Sequence, residues 1–299
     1  MTDKQVLVHA TNILKSSRIR GKYVFLCEGD ISTIFENNTH SPSSLRKLEH
    51  LPDSSFYKKC LSPNIQKYKL PVFVNCAGRA DVIKVYHKLV ELVNEATEKG
   101  EGTYLNLSKL FLIIDLDLQN SKVTSNIYTE DIYSSLYNDT KIIKKNIPSH
   151  KVFVTGLIHK EAYFLLPQFE DIIKNYKVQL LYKKQPINLN TMYKEILKET
   201  KSDRDLSKNL NRVLNRFKKY NLSTIEELIT FATNKLKAKE LEYLFTFRKV
   251  KPYWERITSN ETIDNEKLRE QISLEIASTI SFNNNQDFHL TAIFNEIIQ

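Results

Sequence analysis

Three acidic residues stand where short apolar runs end, and their types and spacing point to divalent-metal chemistry. Asp115 and Asp117 follow Leu110-Phe111-Leu112-Ile113-Ile114 as a DxD. Residues two apart on an extended chain share a face, so both carboxylates can aim at one point. Glu28 closes the run Tyr23-Val24-Phe25-Leu26-Cys27 in the same way. In an open parallel sheet, ligands bind in the crevice outside the carboxyl ends of the strands. If these two strands are neighbours, three carboxylates converge with no cation beside them in sequence. Such a cluster is costly unless it is protonated or holds a hard divalent ion. Two such ions about 4 Å apart can stabilise both the attacking and the leaving oxygen of a phosphoryl displacement. With one ion, Glu28 would serve as general base or acid.

The elements that must position these groups are legible as alternating runs. Pro71-Val72-Phe73-Val74-Asn75-Cys76 is a second apolar run, ended by Ala77-Gly78, and Lys151-Val152-Phe153-Val154-Thr155 is a further one, ended by Gly156. Runs that are apolar on both faces are what a helix-covered parallel strand requires. Between them, Val82, Val85, Leu89 and Leu92 or Val93 fall on one helical face, and Ile132, Leu136, Ile142 and Ile143 suggest a helix within 127–145. The alternation predicts βαβ units with right-handed crossovers. Residues 38–70 break this rhythm with loop chemistry (Asn37-Asn38-Thr39-His40-Ser41-Pro42) and read as an insertion. Arg79 and Lys160, beside the ends of the second and fourth runs, are placed to meet phosphate oxygens.

Beyond about residue 168 the strand runs largely stop and helical periodicity takes over. Ser223 with Glu226 predicts a capped helix start, and Thr262 and Asp264 before Leu268 another. The expected organisation is an α/β domain over 1–168 and a basic, mainly helical domain over 169–299. The chain has 299 residues, with Gly 6 and Pro 8, which excludes collagen-like and many-turned all-β designs. Cysteines number three, without a CxxC pair, so neither a disulfide framework nor a zinc ribbon is expected. No signal-like or membrane-length apolar stretch occurs, and a reducing, cytoplasmic setting is expected. The formal charge is +9, and it is uneven: residues 171–256 hold 20 basic and 10 acidic side chains, whereas 257–299 hold 2 and 7. A basic middle segment suggests a polyanionic partner, DNA or RNA, with Lys-rich solubility charge as the bland alternative.

The series YVFLCEG, VNCAGRADVIKVYHKL, LFLIIDLD and VFVTGLIHKEAYFLLP resembles the TOPRIM fold. It is most similar to the TOPRIM domains of OLD-type and related defence-associated nucleases. The resemblance covers roughly residues 20–168. It implies a parallel sheet flanked by helices and a Mg²⁺-dependent nuclease in anti-phage defence, with Glu28 and the Asp115/Asp117 pair as metal and catalytic residues. Gly78 matches a glycine that follows the second strand, and with Arg79 it is expected to meet phosphate. Glu161 is similar to an acidic metal ligand that opens the next helix, and Lys160 beside it joins the catalytic candidates. Relatives often carry an Asp four residues beyond the Glu. Here that position is Ser32 while an Asp stands at Asp30, so either Asp30 substitutes as a metal ligand or the site is weakened. The resemblance leaves room for a partner ATPase or another defence protein and for a homo-oligomer, and it implies no membrane.

Other candidates are weaker. His159 is placed either for proton transfer or for a structural role, whereas His87 lies in a helix pattern and reads as surface or as a satisfied core residue. Cys27 and Cys76 fall in strand runs, where a thiol packs as a small hydrophobe. Phe217, Tyr220, Tyr253 and Trp254 lie among lysines and arginines, where they would either stack on bases or fill a core. No GxxxxGK[ST] occurs. Two further classes compete with the nuclease: a non-catalytic TOPRIM-like module that holds nucleic acid or a partner, and a DxD phosphohydrolase or glycosyltransferase. The sequence DLDLQN lacks the DxDx[TV] of haloacid dehalogenases, which demotes the last.

Overall fold

The computed structural model describes residues 1–32, 45–119, 121–124, 126–233, 238–282 and 288–298. Part of the expected insertion, 38–44, therefore lies outside the described residues. In chain order the elements that build the site are helix α1 (Asp3–Lys15), strand β1 (Val24–Cys27), helix α2 (Pro52–Lys59), strand β2 (Val72–Asn75), helix α3 (Arg79–Glu98), strand β3 (Leu110–Ile114) and strand β4 (Val152–Val154). The four strands form one all-parallel sheet in the order β2-β1-β3-β4. The molecule is thus α/β, as the apolar runs predict.

Every residue of these strands is buried, which explains why the runs show no polar alternation. Phe25 stacks on Phe73 and Phe111, with ring centroids 5.3 and 5.4 Å apart. The C-terminal helix, His289–Ile298, sets Phe294 edge-on against Phe25 and Phe73, at 5.4 and 5.2 Å. α3 packs on β1 and β3 through Val82, Val85, Leu89 and Val93, the predicted face, and α1 packs beside it. Buried side chains from Val6 to Ile298 form a single cluster, so the last helix completes the core that the first strand begins. Among the described residues no helix is long and apolar enough to cross a membrane.

Two expectations need correction. The stretch 127–145 is not one helix. Ile127–Tyr128 pairs with Lys122–Thr124, a helix runs only over Thr129–Leu136, and Tyr137–Asn138 pairs with Lys141–Ile142. Asp139, at φ 56°, turns the chain in the left-handed region that Asn and Asp tolerate. The second half also holds a small antiparallel sheet, β5 (Leu180–Tyr182) flanked by β6 (Gln185–Pro186) and β7 (Ile257–Ser259). Its two-residue turn places Lys183 and Lys184 at φ 53° and 63°, where Asn-Gly is the usual signal, so lysines concealed it. Otherwise helices dominate, as in Leu189–Thr200, Arg204–Arg216 and Asn265–Phe282. Asp264 caps the last of these by accepting from Lys267 N–H at 2.9 Å. The earlier cap lies one residue beyond its expected place, with Thr224 Oγ1 accepting from Glu227 N–H at 3.1 Å.

Candidate functional site

β1 and β3 are hydrogen-bonded neighbours with Cys27 level with Ile113, so Glu28 and Asp115 leave the sheet side by side. Glu28 Oε1 accepts the Asp115 backbone N–H at 2.9 Å. Burial, then the charge of Glu28, lifts the Asp115 carboxyl well above the ordinary carboxylate range. Burial also raises Glu28, against the pull of Arg79. This is the electrostatic signature expected where carboxylates are gathered in a cleft.

Asp117 arrives by a different route from the one its spacing suggested. The DLD is not extended: Asp117 lies at φ 47°, a left-handed conformation that a non-glycine residue holds at a cost of about 1–2 kcal/mol. Its surroundings over-determine it. Its N–H donates to Ile158 O at 3.0 Å, and its carbonyl accepts from Arg216 Nη2 at 3.1 Å. Leu118 N–H reaches Asp117 Oδ1 at 2.7 Å. Arg216 is itself nearly sealed from solvent, with Thr246 O at 2.6 Å and Glu130 as further partners. Arg212 adds a bond to Leu118 O at 2.8 Å. The helix Arg204–Arg216 thus grips the DxD turn through backbone carbonyls. Asp117 sits below the usual carboxylate range although burial opposes it, because Leu118 N–H, Lys249 and Arg79 favour its charge.

Arg79 sits at the centre. Its guanidinium lies 3.6 Å from both Glu28 Oε1 and Asp117 Oδ2, and it donates to Asp115 O at 2.8 Å and Ser121 Oγ at 2.9 Å. Its Nε is buried without a hydrogen-bond partner. Gly78 precedes it at the start of α3, with nothing within 4 Å of where a Cβ would stand. Among the described residues no three His, Cys, Asp or Glu side chains are gathered as a ready metal cage. The donor chemistry nevertheless fits a hard divalent ion. Two half-buried carboxylates with raised pKa and a third beside them share one guanidinium at long range, and oxygen donors of this kind suit Mg²⁺ or Mn²⁺.

The same cleft carries a second charged group. Lys160 pairs with Asp53 and lies 3.9 Å from Glu161 Oε1, and burial pushes its ammonium down. His159 Nδ1 is 3.0 Å from Glu161 Oε2, while its Nε2 accepts the N–H groups of Val250 and Lys251 at 3.1 and 3.3 Å. Burial pushes Glu161 up, but His159 and Lys160 outweigh it and hold the carboxyl at about 2. These groups and the carboxylates line one cleft of about 730 Å³. Asp30 lines it too, but its carboxylate accepts from Ser32 N and Oγ at 2.8 and 2.9 Å. The structure therefore commits Asp30 to the Ser32 turn and does not bring it into the cluster.

Gly29 bridges Ala77 beneath the cleft, donating its N–H to Ala77 O at 2.8 Å. A Cβ there would stand 2.4 Å from Asn75 Nδ2 and 2.5 Å from Asp53 Oδ2. Asn75 is fully buried and accepts from Ser54 Oγ at 2.5 Å, so it cannot yield freely. Gly29→Ala is expected to cost about 1–3 kcal/mol, as overpacking does, read as a lowered denaturant midpoint. An unchanged midpoint would show that this packing gives way.

Sequence reasoning missed Asp53, Lys249, Lys251 and Arg216. Asp53 opens α2, where an acid reads only as a favourable first-turn residue. The lysines lie in Arg248-Lys249-Val250-Lys251, whose clustered charge was the available signal. His87 is exposed on α3, away from the cleft, and Cys27 and Cys76 are buried, with Cys27 pushed up to about 12 by burial. Phe217, Tyr253 and Trp254 belong to the core, so among the four interspersed aromatics only Tyr220 stays exposed enough to stack on a base. Compared with known proteins, the sequence matches no family model, no curated protein and no solved structure.

Proposed function

We propose that the chain is a divalent-metal-dependent nuclease on a TOPRIM-like α/β scaffold, acting on DNA or RNA, with its basic helical half as the nucleic-acid-binding part. The observation that carries this reading is the Glu28 carboxylate bonded to the Asp115 backbone at the ends of two adjacent parallel strands, with Asp117 on the same cleft. Glu28, Asp115 and Asp117 would hold Mg²⁺ or Mn²⁺, with Glu161 lining the same cleft. The bound ion would supply charge to the non-bridging oxygens of a phosphodiester. In a one-ion version, with the ion on Asp115 and Asp117, Glu28, whose pKa burial raises, is suited to take a proton from an attacking water. Lys160, whose ammonium burial pushes down, is suited to give one to the leaving oxygen. Arg79 and the N-terminus of α3 at Gly78 face the same space and favour negative charge there. A place in anti-phage defence, beside a partner ATPase or another defence protein, belongs to this proposal.

Assay of the protein on DNA and RNA with Mg²⁺, Mn²⁺ and EDTA tests the reading directly. Cleavage should require the metal, and cleavage that survives EDTA would sink it. Two observations favour the non-catalytic alternative: Arg79 and Lys249 already countercharge Asp117, and Asp30 is turned to Ser32. That reading expects nucleic-acid binding without metal-dependent cleavage.

Binding itself has a separate signature. The cations of residues 171–256 should contact phosphates, so affinity should fall steeply with salt, with a log–log slope of several units. A flat salt dependence would reduce the basic segment to solubility charge.

A further inference from the structure

Lys249 reaches the carboxylates from the far half of the chain. Its Nζ lies 3.3 Å from Asp117 Oδ1 and 3.4 Å from Asp205 Oδ2, and its side chain is 37% exposed. Both contacts are long; Asp117 lines the cleft, whereas Asp205 lines a neighbouring surface hollow that Lys249 also borders. The backbone that carries Lys249 is fixed, in contrast to its side chain. Val250 and Lys251 donate to His159 Nε2, Ile158 N–H bonds Phe245 O at 2.8 Å, and Arg216 holds Thr246 O at 2.6 Å. A long flexible stem on an anchored root can exchange partners without moving the fold.

The partners it holds favour such an exchange. Asp117 faces two cations, Lys249 and Arg79, at 3.3 and 3.6 Å. A divalent ion taken by Asp117 would repel the ammonium beside it, and the Lys249 side chain, 37% exposed and lining the cleft, has the open cleft to turn into. A phosphodiester lying over the carboxylates would meet it there. We propose that Lys249 is a substrate-phosphate ligand held in reserve: Asp117 and Asp205 hold its ammonium until a divalent cation engages Asp117, and the ammonium then turns to the non-bridging oxygens of the bound nucleic acid. This inference rests on the nuclease reading and adds its regulation. Metal and nucleic acid then favour each other's binding, and by linkage the coupling is reciprocal.

The test uses the full chain as wild type, Lys249→Gln, Asp205→Asn and the double variant. Mn²⁺ affinity is read by electron paramagnetic resonance without nucleic acid. Binding of short fluorescein-labelled DNA and RNA duplexes is read by anisotropy, in EDTA and in Ca²⁺. Lys249→Gln should bind Mn²⁺ roughly two- to fivefold more tightly, the scale of a half-exposed ion pair. It should also lose the gain in nucleic-acid affinity that Ca²⁺ gives wild type. Asp205→Asn should strengthen nucleic-acid binding in EDTA, and this effect should vanish in the double variant. Mn²⁺ affinity unchanged or weakened in Lys249→Gln, or a Ca²⁺-dependent gain retained there, overturns the exchange and leaves the nuclease reading standing. Wild-type protein that takes up no Mn²⁺ overturns both.

Discussion

Asp115→Asn is expected to abolish metal-dependent cleavage while raising the thermal stability of the metal-free protein. The first half follows from the proposed role of the carboxylate. The second follows from its environment. Burial and the neighbouring Glu28 raise the Asp115 pKa in the folded chain well above the unfolded value of about 3.9. The folded state then binds more protons than the unfolded one over that interval, so stability falls as pH rises through it. Whether Asp115 keeps its proton or ionises, the fold bears a cost at neutral pH that asparagine, of the same shape and uncharged, does not. The melting temperature of Asp115→Asn in EDTA should exceed that of wild type at about pH 8, and the difference should close toward about pH 4. Glu28→Gln should behave likewise, because its pKa is raised by the same burial. Nucleic-acid binding should survive both changes, since it rests on cations elsewhere. Full-rate cleavage by Asp115→Asn would remove the proposed mechanism, and a lowered melting temperature would show that the Asp115 carboxylate is bonded better than its surroundings indicate.

The parts of this site that were legible in the sequence are those set by short-range rules. A parallel strand covered on both faces must be continuously apolar, so Val24–Cys27, Val72–Asn75, Leu110–Ile114 and Val152–Val154 announce themselves, and the acids that end them are the cleft acids. α3 was legible because one face is buried and its apolar spacing is regular. What was hidden came from long-range packing or from unusual backbone. Lys249 stands more than a hundred residues from its partner Asp117 and is brought there by Arg216, His159 and the carbonyls they hold. No local pattern encodes that meeting. Asp117 was singled out for a valid chemical reason and an incorrect geometric one: an extended DxD would share a face, whereas this one turns at Asp117 through the left-handed region. The small second sheet was missed because paired lysines occupy a turn whose usual residues are Asn and Gly.

The protein should also be acid-labile through one residue remote from the cleft. His289, on the helix that closes the core, is buried beside Tyr163, Tyr137 and Phe288. Its Nε2 donates to Thr140 O at 2.5 Å, so Nδ1 carries no proton and accepts from Tyr163 Oη at 3.0 Å. Tyr163 Oη in turn accepts Gly156 N–H at 2.9 Å. This chain of bonds fits the neutral ring. A second proton on Nδ1 would face a hydroxyl already used as an acceptor and would strip that hydroxyl of its own partner. The ring cannot move away, because Gly156 lies so close that a Cβ there would stand 2.0 Å from Nδ1. Burial accordingly lowers the His289 pKa from 6.5 to about 4. Between those values the unfolded chain binds the proton and the folded chain does not, so stability is full above about pH 6.5 and is lost as pH falls toward 4. The loss is on the order of 3 kcal/mol. Glu161, held at about 2, acts in a lower window, since its contribution is present above about 4.5 and fades as pH falls toward 2. Denaturant unfolding of wild type and His289→Phe, at pH steps from about 7 to about 4, separates the two windows. The variant should start less stable, because Tyr163 and Thr140 lose a partner, yet it should show a much flatter decline across this range. An equally steep decline in His289→Phe would place the acid sensitivity in other groups.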